Sequence, residues 1–276
     1  MRRAKIVCTM GPAVESPESV AALVKAGMSV ARLNLSHGSY DEHAKRFSLV
    51  RDAAAAAQRP VAILVDLQGP KIRLGKFEAG PYILERGDEL TITTDEIVGT
   101  KKRVSTTYKG LPGDCKVGDR ILIDDGKVAV EVVAVKANEV LTKCIEPGEI
   151  SNNKGLNLPG VAVSVPAMSD KDVEDLRWGL KAGADFIALS FVRSAKDIDD
   201  VHKIMKEVGI HRPVIAKIEK PQAVENLTEI IDVFDGIMVA RGDLGVEMPI
   251  EDIPMVQKRC VTLAREMAKP VIVATQ

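Results

Sequence analysis

The sequence predicts an α/β chain: a parallel sheet built from strand–helix repeats, interrupted once by an all-β insertion. Three observations predict it. Short Val/Ile/Leu/Ala runs recur near 5–8, 29–33, 61–65, 186–190, 214–218, 236–240 and 271–274, and helical segments follow most of them. From about Lys71 to Ser164 the helical period vanishes and short β-type runs replace it. Hydrophobic residues make up 46% of the chain but aromatics only 3%, so the core is aliphatic, as buried parallel sheets require.

The elements follow in order. The first strand begins almost at the N-terminus, in Lys5-Ile6-Val7-Cys8. Ser16-Pro17-Glu18 places an N-cap before a proline at the first helical position, and Gly27 sits where that helix should stop. In the insertion, Glu89–Thr93, Arg120–Ile123 and Lys127–Val133 read as strands, and Asp125-Gly126 is a strong two-residue hairpin signal between the last two. Ser169 with Asp172, and Ser194 with Asp197, fit capping boxes that open the next helices; Gly183 should end the first of them. The expected division is a sheet domain over 1–70 and 165–276 and an inserted β domain over 71–164. Seven core strands result, three before the insertion and four after. A closed barrel of this kind needs eight. Either the sheet is open, or the chain is a piece of a longer protein; the stop soon after Val271–Ala274 favours the second reading.

Charge and cysteine content narrow the function. With 38 basic and 39 acidic residues, the formal charge of -1 offers no case for nucleic acid or a membrane surface. Cys8, Cys115, Cys144 and Cys260 are far apart, which argues against a zinc site or a disulfide framework and for a reducing compartment. The N-terminus lacks the apolar stretch of a signal peptide, so the expected location is the cytoplasm.

The chemistry collects at strand ends. Val214–Ile218 is an apolar run that turns charged at Lys217 and Glu219; side chains two apart on a strand point the same way. A lysine and a glutamate on the inner side of a strand are costly unless paired or bound to something. Gly236–Ala240 ends in Arg241-Gly242-Asp243, a second carboxylate beside backbone that permits close approach. Alternation also aims Arg32, Asn34 and Ser36 at one face, and the third and fourth strands end in Asp66…Arg73 and Ser190…Arg193. Two carboxylates beside a lysine and an arginine suit magnesium and a phosphorylated acid.

Five motifs in order carry a close resemblance to the pyruvate kinase family: Lys5–Pro12, Ala31–Gly38, Asn153–Gly160, Ala216–Glu219 and Met238–Gly245. The resemblance covers essentially the whole chain. It implies a TIM (β/α)8-type barrel, incomplete here at about seven strands, with an inserted β-barrel lid, and lacking the family's eighth strand and C-terminal domain. It implies a cytoplasmic glycolytic enzyme, a homotetramer when intact. Its substrates would be phosphoenolpyruvate and ADP, its products pyruvate and ATP.

By the same resemblance, Glu219 and Asp243 would hold magnesium or manganese, and Lys217 would neutralise the transferring phosphoryl group and the enolate oxygen. Arg32 and Arg73 would contact phosphates, Lys154 would reach the nucleotide from the lid, and the N–H groups of Gly242 and Asp243 would take the substrate carboxylate. Thr275 would lie on the proton path to the enolate carbon, working through water because a hydroxyl alone is a poor acid. Asn34 stands near the nucleotide; His37 either touches it or serves in capping or packing. Family members that use potassium hold it with asparagine, serine, aspartate and threonine. Asn34, Ser36 and Asp66 are kept, but Leu67 replaces the threonine and Lys71 the nearby glutamate. Leucine offers no side-chain oxygen and the lysine brings its own positive charge, so potassium should not be required. Two other readings remain: a chain that binds ligand or a partner without turnover, and a magnesium acid aldolase, against which the 71–164 insertion and Lys154 argue.

Overall fold

The computed structural model describes residues 4–161 and 163–274. They form two compact units: Met1–Gly69 with Ala167–Arg241 and Pro254–Gln276, and Pro70–Pro166 with Gly242–Ile253.

The first unit is a seven-stranded, nearly closed parallel barrel. Its strands are Ile6–Thr9, Met28–Asn34, Ala62–Asp66, Phe186–Leu189, Val214–Ile218, Gly236–Ala240 and Val271–Ala274, and they neighbour one another in chain order. Each strand is parallel to its predecessor and returns beside it, so every connection is a crossover. The helix Pro17–Ala26 is capped by Ser16, whose side chain accepts from Ser19 N–H, and ends at Gly27 with φ 107°. Tyr40–Ala56 opens on a Ser39–Glu42 capping box, and Asp170–Ala182 opens on Ser169–Asp172 and ends at Gly183. The Ser194 expectation needs correction. Its helix spans Asp197–Val208, with Lys196 at the cap and no side-chain cap bond. Asp197 instead accepts from the N–H groups of Arg193 and Ser194, at 2.7 and 3.1 Å. The carboxylate half of the box forms, but the hydroxyl half does not, so the helix starts later.

Two apolar layers serve the barrel. Outside, Val20, Val24, Phe47 and Val50 of the first two helices pack on Ala31, Leu33 and Ile63 of the strands. Inside, Leu64, Ala188, Ile215 and Met238, one from each of four consecutive strands, form a small cluster. Two residues further along three of these strands, on the same face, stand Asp66, Ser190 and Lys217. A polar layer therefore follows the apolar one toward the C-terminal ends of the strands, where barrels of this type carry their chemistry.

The second unit is antiparallel in the main. A curled six-stranded sheet runs in the spatial order Leu156–Asn157, Arg120–Ile123, Val128–Val135, Glu139–Glu146, Glu89–Thr93, Arg103–Ser105. Gly148–Ile150 pairs separately with Tyr82–Leu84. The hairpin falls where Asp125-Gly126 predicts it. Arg120–Ile123 pairs with Val128 onward, and the two turn residues have φ 56° and 88°. Positive φ at both central positions matches the right-handed strand twist, and Gly126 meets it without strain. One short helix, Leu111–Asp114, lies inside a stretch read as wholly β. The core is aliphatic, with Leu90, Ile92, Ile121, Ile123, Val130 and Val140 fully buried.

Candidate active site

In the barrel unit, Lys217 is the centre of the polar layer. Its ammonium lies 2.8 Å from Glu219 Oε1, 2.7 Å from Ser190 Oγ and 3.3 Å from Asp66 Oδ1. Lys217 is 8% exposed, Glu219 1% and Asp66 0%. Charges so deeply buried cost several kcal/mol each unless matched, which is why they occur as a cluster. Ser190 donates its hydroxyl proton to Leu67 O at 2.6 Å. Its lone pairs are thereby turned toward Lys217, which can only donate.

Asp66 is shared. Arg32 Nε and Nη2 lie 2.7 and 2.6 Å from Asp66 Oδ2, and Arg32 Nη1 donates to Thr9 Oγ1 at 3.0 Å. The guanidinium is thus braced from two strands, with one edge committed to the aspartate. Asn34 Oδ1 accepts from Ser36 N–H at 3.1 Å, a local turn closed by its own side chain. Leu67 is 1% exposed. His37 is exposed, and its carbonyl lies 2.8 Å from Nε2 of the buried His43. Burial holds the His43 imidazole below its ordinary pKa.

Glu219 is fixed from its other side by a backbone group. Phe191 N–H donates to Glu219 Oε2 at 2.6 Å, and Phe191 has φ 53°. A bulky residue in the left-handed region is rare and is held there by its surroundings. The Phe191 ring leaves no room across from it: a Cβ on Gly69 would sit 2.5 Å from Phe191 Cδ2. Lys220 Nζ lies over the ring, 5.5 Å from its centre.

The second unit gathers different cations. Arg73 pairs with Gly155 as an isolated antiparallel bridge, so Arg73 and Lys154 stand on adjacent segments, and Arg73 Nη1 donates to Asn153 O at 2.9 Å. Lys154 is 31% exposed and lies 3.1 Å from Asp124 Oδ2. The Asp124 carboxyl is held below its ordinary pKa, chiefly by the Lys127 hydrogen bond and then by Lys154, against the opposite pull of burial. Lys71 is exposed. Gly242 and Asp243 are exposed in the helix Arg241–Glu247, while Leu244 and Glu247 are buried. Thr275 lies outside the described residues.

The sequence assigns no separate role to three participants. Ser190 stands there only as part of a strand end, although its alternation with Ala188 marks it as facing the same way. Phe191 acts through a backbone N–H, and Glu247 is a buried carboxylate two residues beyond the motif Met238–Gly245. Neither can be found without tertiary contacts.

A family model described as the pyruvate kinase barrel domain matches residues 1–276. The chain is 58% identical to a pyruvate kinase of Corynebacterium glutamicum over 275 residues, covering 100% of this chain and 58% of that protein. It is 54% identical to a pyruvate kinase of Mycobacterium tuberculosis, again covering 58% of the relative. A crystal structure of a pyruvate kinase from Cryptosporidium parvum superposes with a TM-score of 0.95 at 40% identity, covering 100% of this chain and 58% of that one. The chain therefore spans a little over half the length of these relatives.

Proposed function

The chain belongs to the pyruvate kinase family, and from that premise we propose that it carries the site that moves the phosphoryl group of phosphoenolpyruvate to ADP, giving pyruvate and ATP. The buried Lys217–Glu219–Asp66 cluster, with Arg32 braced beside it, is the observation that carries the reading. Phosphoryl transfer asks chiefly for alignment and for positive charge where negative charge moves. Lys217 supplies that charge to the transferring group and to the enolate oxygen, and its three partners fix it before substrate arrives. Arg32 binds the phosphate of phosphoenolpyruvate. Arg73 and Lys154 bind nucleotide phosphates, and Lys154 exchanges Asp124 for them. The N–H groups of Gly242 and Asp243 take the substrate carboxylate, Asn34 and His37 stand toward the nucleotide, and Thr275 serves the proton path through water. The 71–164 region acts as a lid that keeps water from the transferring group.

Glu219 and Asp243 suit magnesium or manganese. Both offer hard carboxylate oxygens, and the Lys217 ammonium and the Phe191 N–H orient the Glu219 carboxylate. Bound there, the ion would neutralise substrate charge, leaving the remaining coordination to substrate oxygens and water. Potassium is not needed in this reading. Asn34 Oδ1 already accepts from Ser36 N–H and Asp66 Oδ2 from Arg32, Asp66 Oδ1 is ion-paired with Lys217 at 3.3 Å, Leu67 offers no side-chain oxygen, and Lys71 adds a fixed positive charge. Among the described residues no helix is long and apolar enough to cross a membrane. A cytoplasmic homotetramer working in glycolysis completes the proposal.

The test is pyruvate formation from phosphoenolpyruvate and ADP with magnesium, in potassium and in sodium salts. Expected is turnover that differs by less than about twofold between the salts and is lost in Lys217→Met. Turnover surviving in Lys217→Met overturns the assignment of the lysine. A large potassium stimulation overturns the role of Lys71.

A further inference from the structure

Glu247 is a carboxylate that this chemistry does not use. It is the last residue of the helix Arg241–Glu247 and is 5% exposed. Burying a carboxylate is costly unless it is hydrogen-bonded, and the C-terminal end of a helix adds the repulsion of outward carbonyls. An apolar side chain would serve better there if filling space were all that was needed. Leu244, three residues earlier, is fully buried, whereas Asp243, four residues earlier, is exposed. Leu244 and Glu247 are thus the seat of this segment, and Asp243 is the side chain it presents.

The partner that holds the seat comes from 90 residues away. Asn157 Nδ2 donates to Glu247 Oε1 at 2.9 Å. Asn157 follows Lys154 by three residues and lies in the strand Leu156–Asn157, which pairs with Arg120–Ile123. Residues 242–253 and 70–166 belong to the same compact unit.

We propose that Asn157 and Glu247 are positioning residues for the divalent cation: their hydrogen bond anchors the segment that presents Asp243 to the strand that follows Lys154. The inference rests on the reading of Asp243 as a metal ligand. Neither residue touches substrate. They act by restricting where the Asp243 carboxylate can stand, so that less ordering is left to the metal.

Manganese is the probe, and its binding to the full chain is read from the paramagnetic resonance of the free ion, without substrates. Asn157→Asp sets two carboxylates against each other and should weaken binding roughly tenfold. The exchange N157D/E247Q restores a hydrogen bond with donor and acceptor reversed, and should return the affinity to within about threefold. Asn157→Ser, which withdraws the donor without adding charge, serves if Asn157→Asp does not fold, and should also weaken binding. Wild-type affinity in both single variants overturns the inference and leaves the ligand assignment standing. Weakened binding that the exchange does not restore also overturns it, because the pair is then only part of the packing. Undiminished binding in Asp243→Asn overturns the ligand assignment, and the inference with it.

Discussion

The two compact units hold the cations of the proposed site in opposite ways. In the barrel, Lys217 is 8% exposed and held by Glu219, Asp66 and Ser190, while Arg32 is braced by Asp66 and Thr9. In the β unit, Lys154 keeps 31% of its side chain exposed and touches Asp124, and Arg73 donates to one backbone carbonyl. Removing one member of a buried charge cluster strands the others, whereas a half-exposed ion pair is worth little to stability. The same kind of side chain is thus locked in place in one unit and loosely held in the other. If the proposed roles hold, stability and activity should be coupled in the barrel and separable in the β unit.

The largest expected effect tests that coupling directly. Lys217→Met should lower turnover by at least about a hundredfold. It should also destabilise the fold by about 3–5 kcal/mol in urea unfolding, because Glu219 and Asp66 keep their burial and lose their cation. Full stability in that variant would break the contrast. Ser190→Ala comes next. It removes the acceptor that orients Lys217 and leaves the Leu67 carbonyl without its donor, so stability should fall by about 1–2 kcal/mol. In steady-state kinetics, kcat should fall while KM for phosphoenolpyruvate stays near its wild-type value. Lys154→Ala should do the reverse: unfolding unchanged within about 0.5 kcal/mol, and KM for ADP raised roughly tenfold. A clear loss of stability there would show that the cations of the β unit are as embedded as those of the barrel.

The smallest effect sharpens the comparison through the cores. Burial pushes the Cys115 thiol of the β unit up from 9.0 to about 12, and the Cys260 thiol of the barrel up to about 11. Raised pKa values mean that the folded state disfavours the thiolate. The stability each neutral thiol contributes is therefore complete below pH 9 and is lost as pH rises toward 12 and 11 respectively. Cys115→Ala should flatten the pH dependence of unfolding above pH 9 if the β unit unfolds with the rest, as followed by circular dichroism.

Much of this was open to reading along the chain, and for local reasons. Proline and serine at helix starts, glycine at helix ends and Asp125-Gly126 at the hairpin act within a few residues. The spacing of Lys217 and Glu219 suffices to place both on one side of a strand, and their 2.8 Å contact follows from it. The Ser194 helix start failed on the same ground, since two competing backbone donors for Asp197 leave no trace in the pattern.

The alternation of strands and helices, the break for the β insertion, the five family motifs and the charged strand ends are all legible along the chain. These rest on periodicity and on short-range backbone chemistry, which a linear chain displays directly. That Asp66 serves both Arg32 and Lys217, that Ser190 orients the lysine, that Phe191 lends a backbone N–H to Glu219, and that Asn157 meets Glu247 emerges on folding alone. The physical reason is that burial makes each of those polar groups need a partner, and neighbours in space, tens of residues apart in the chain, are what supply it.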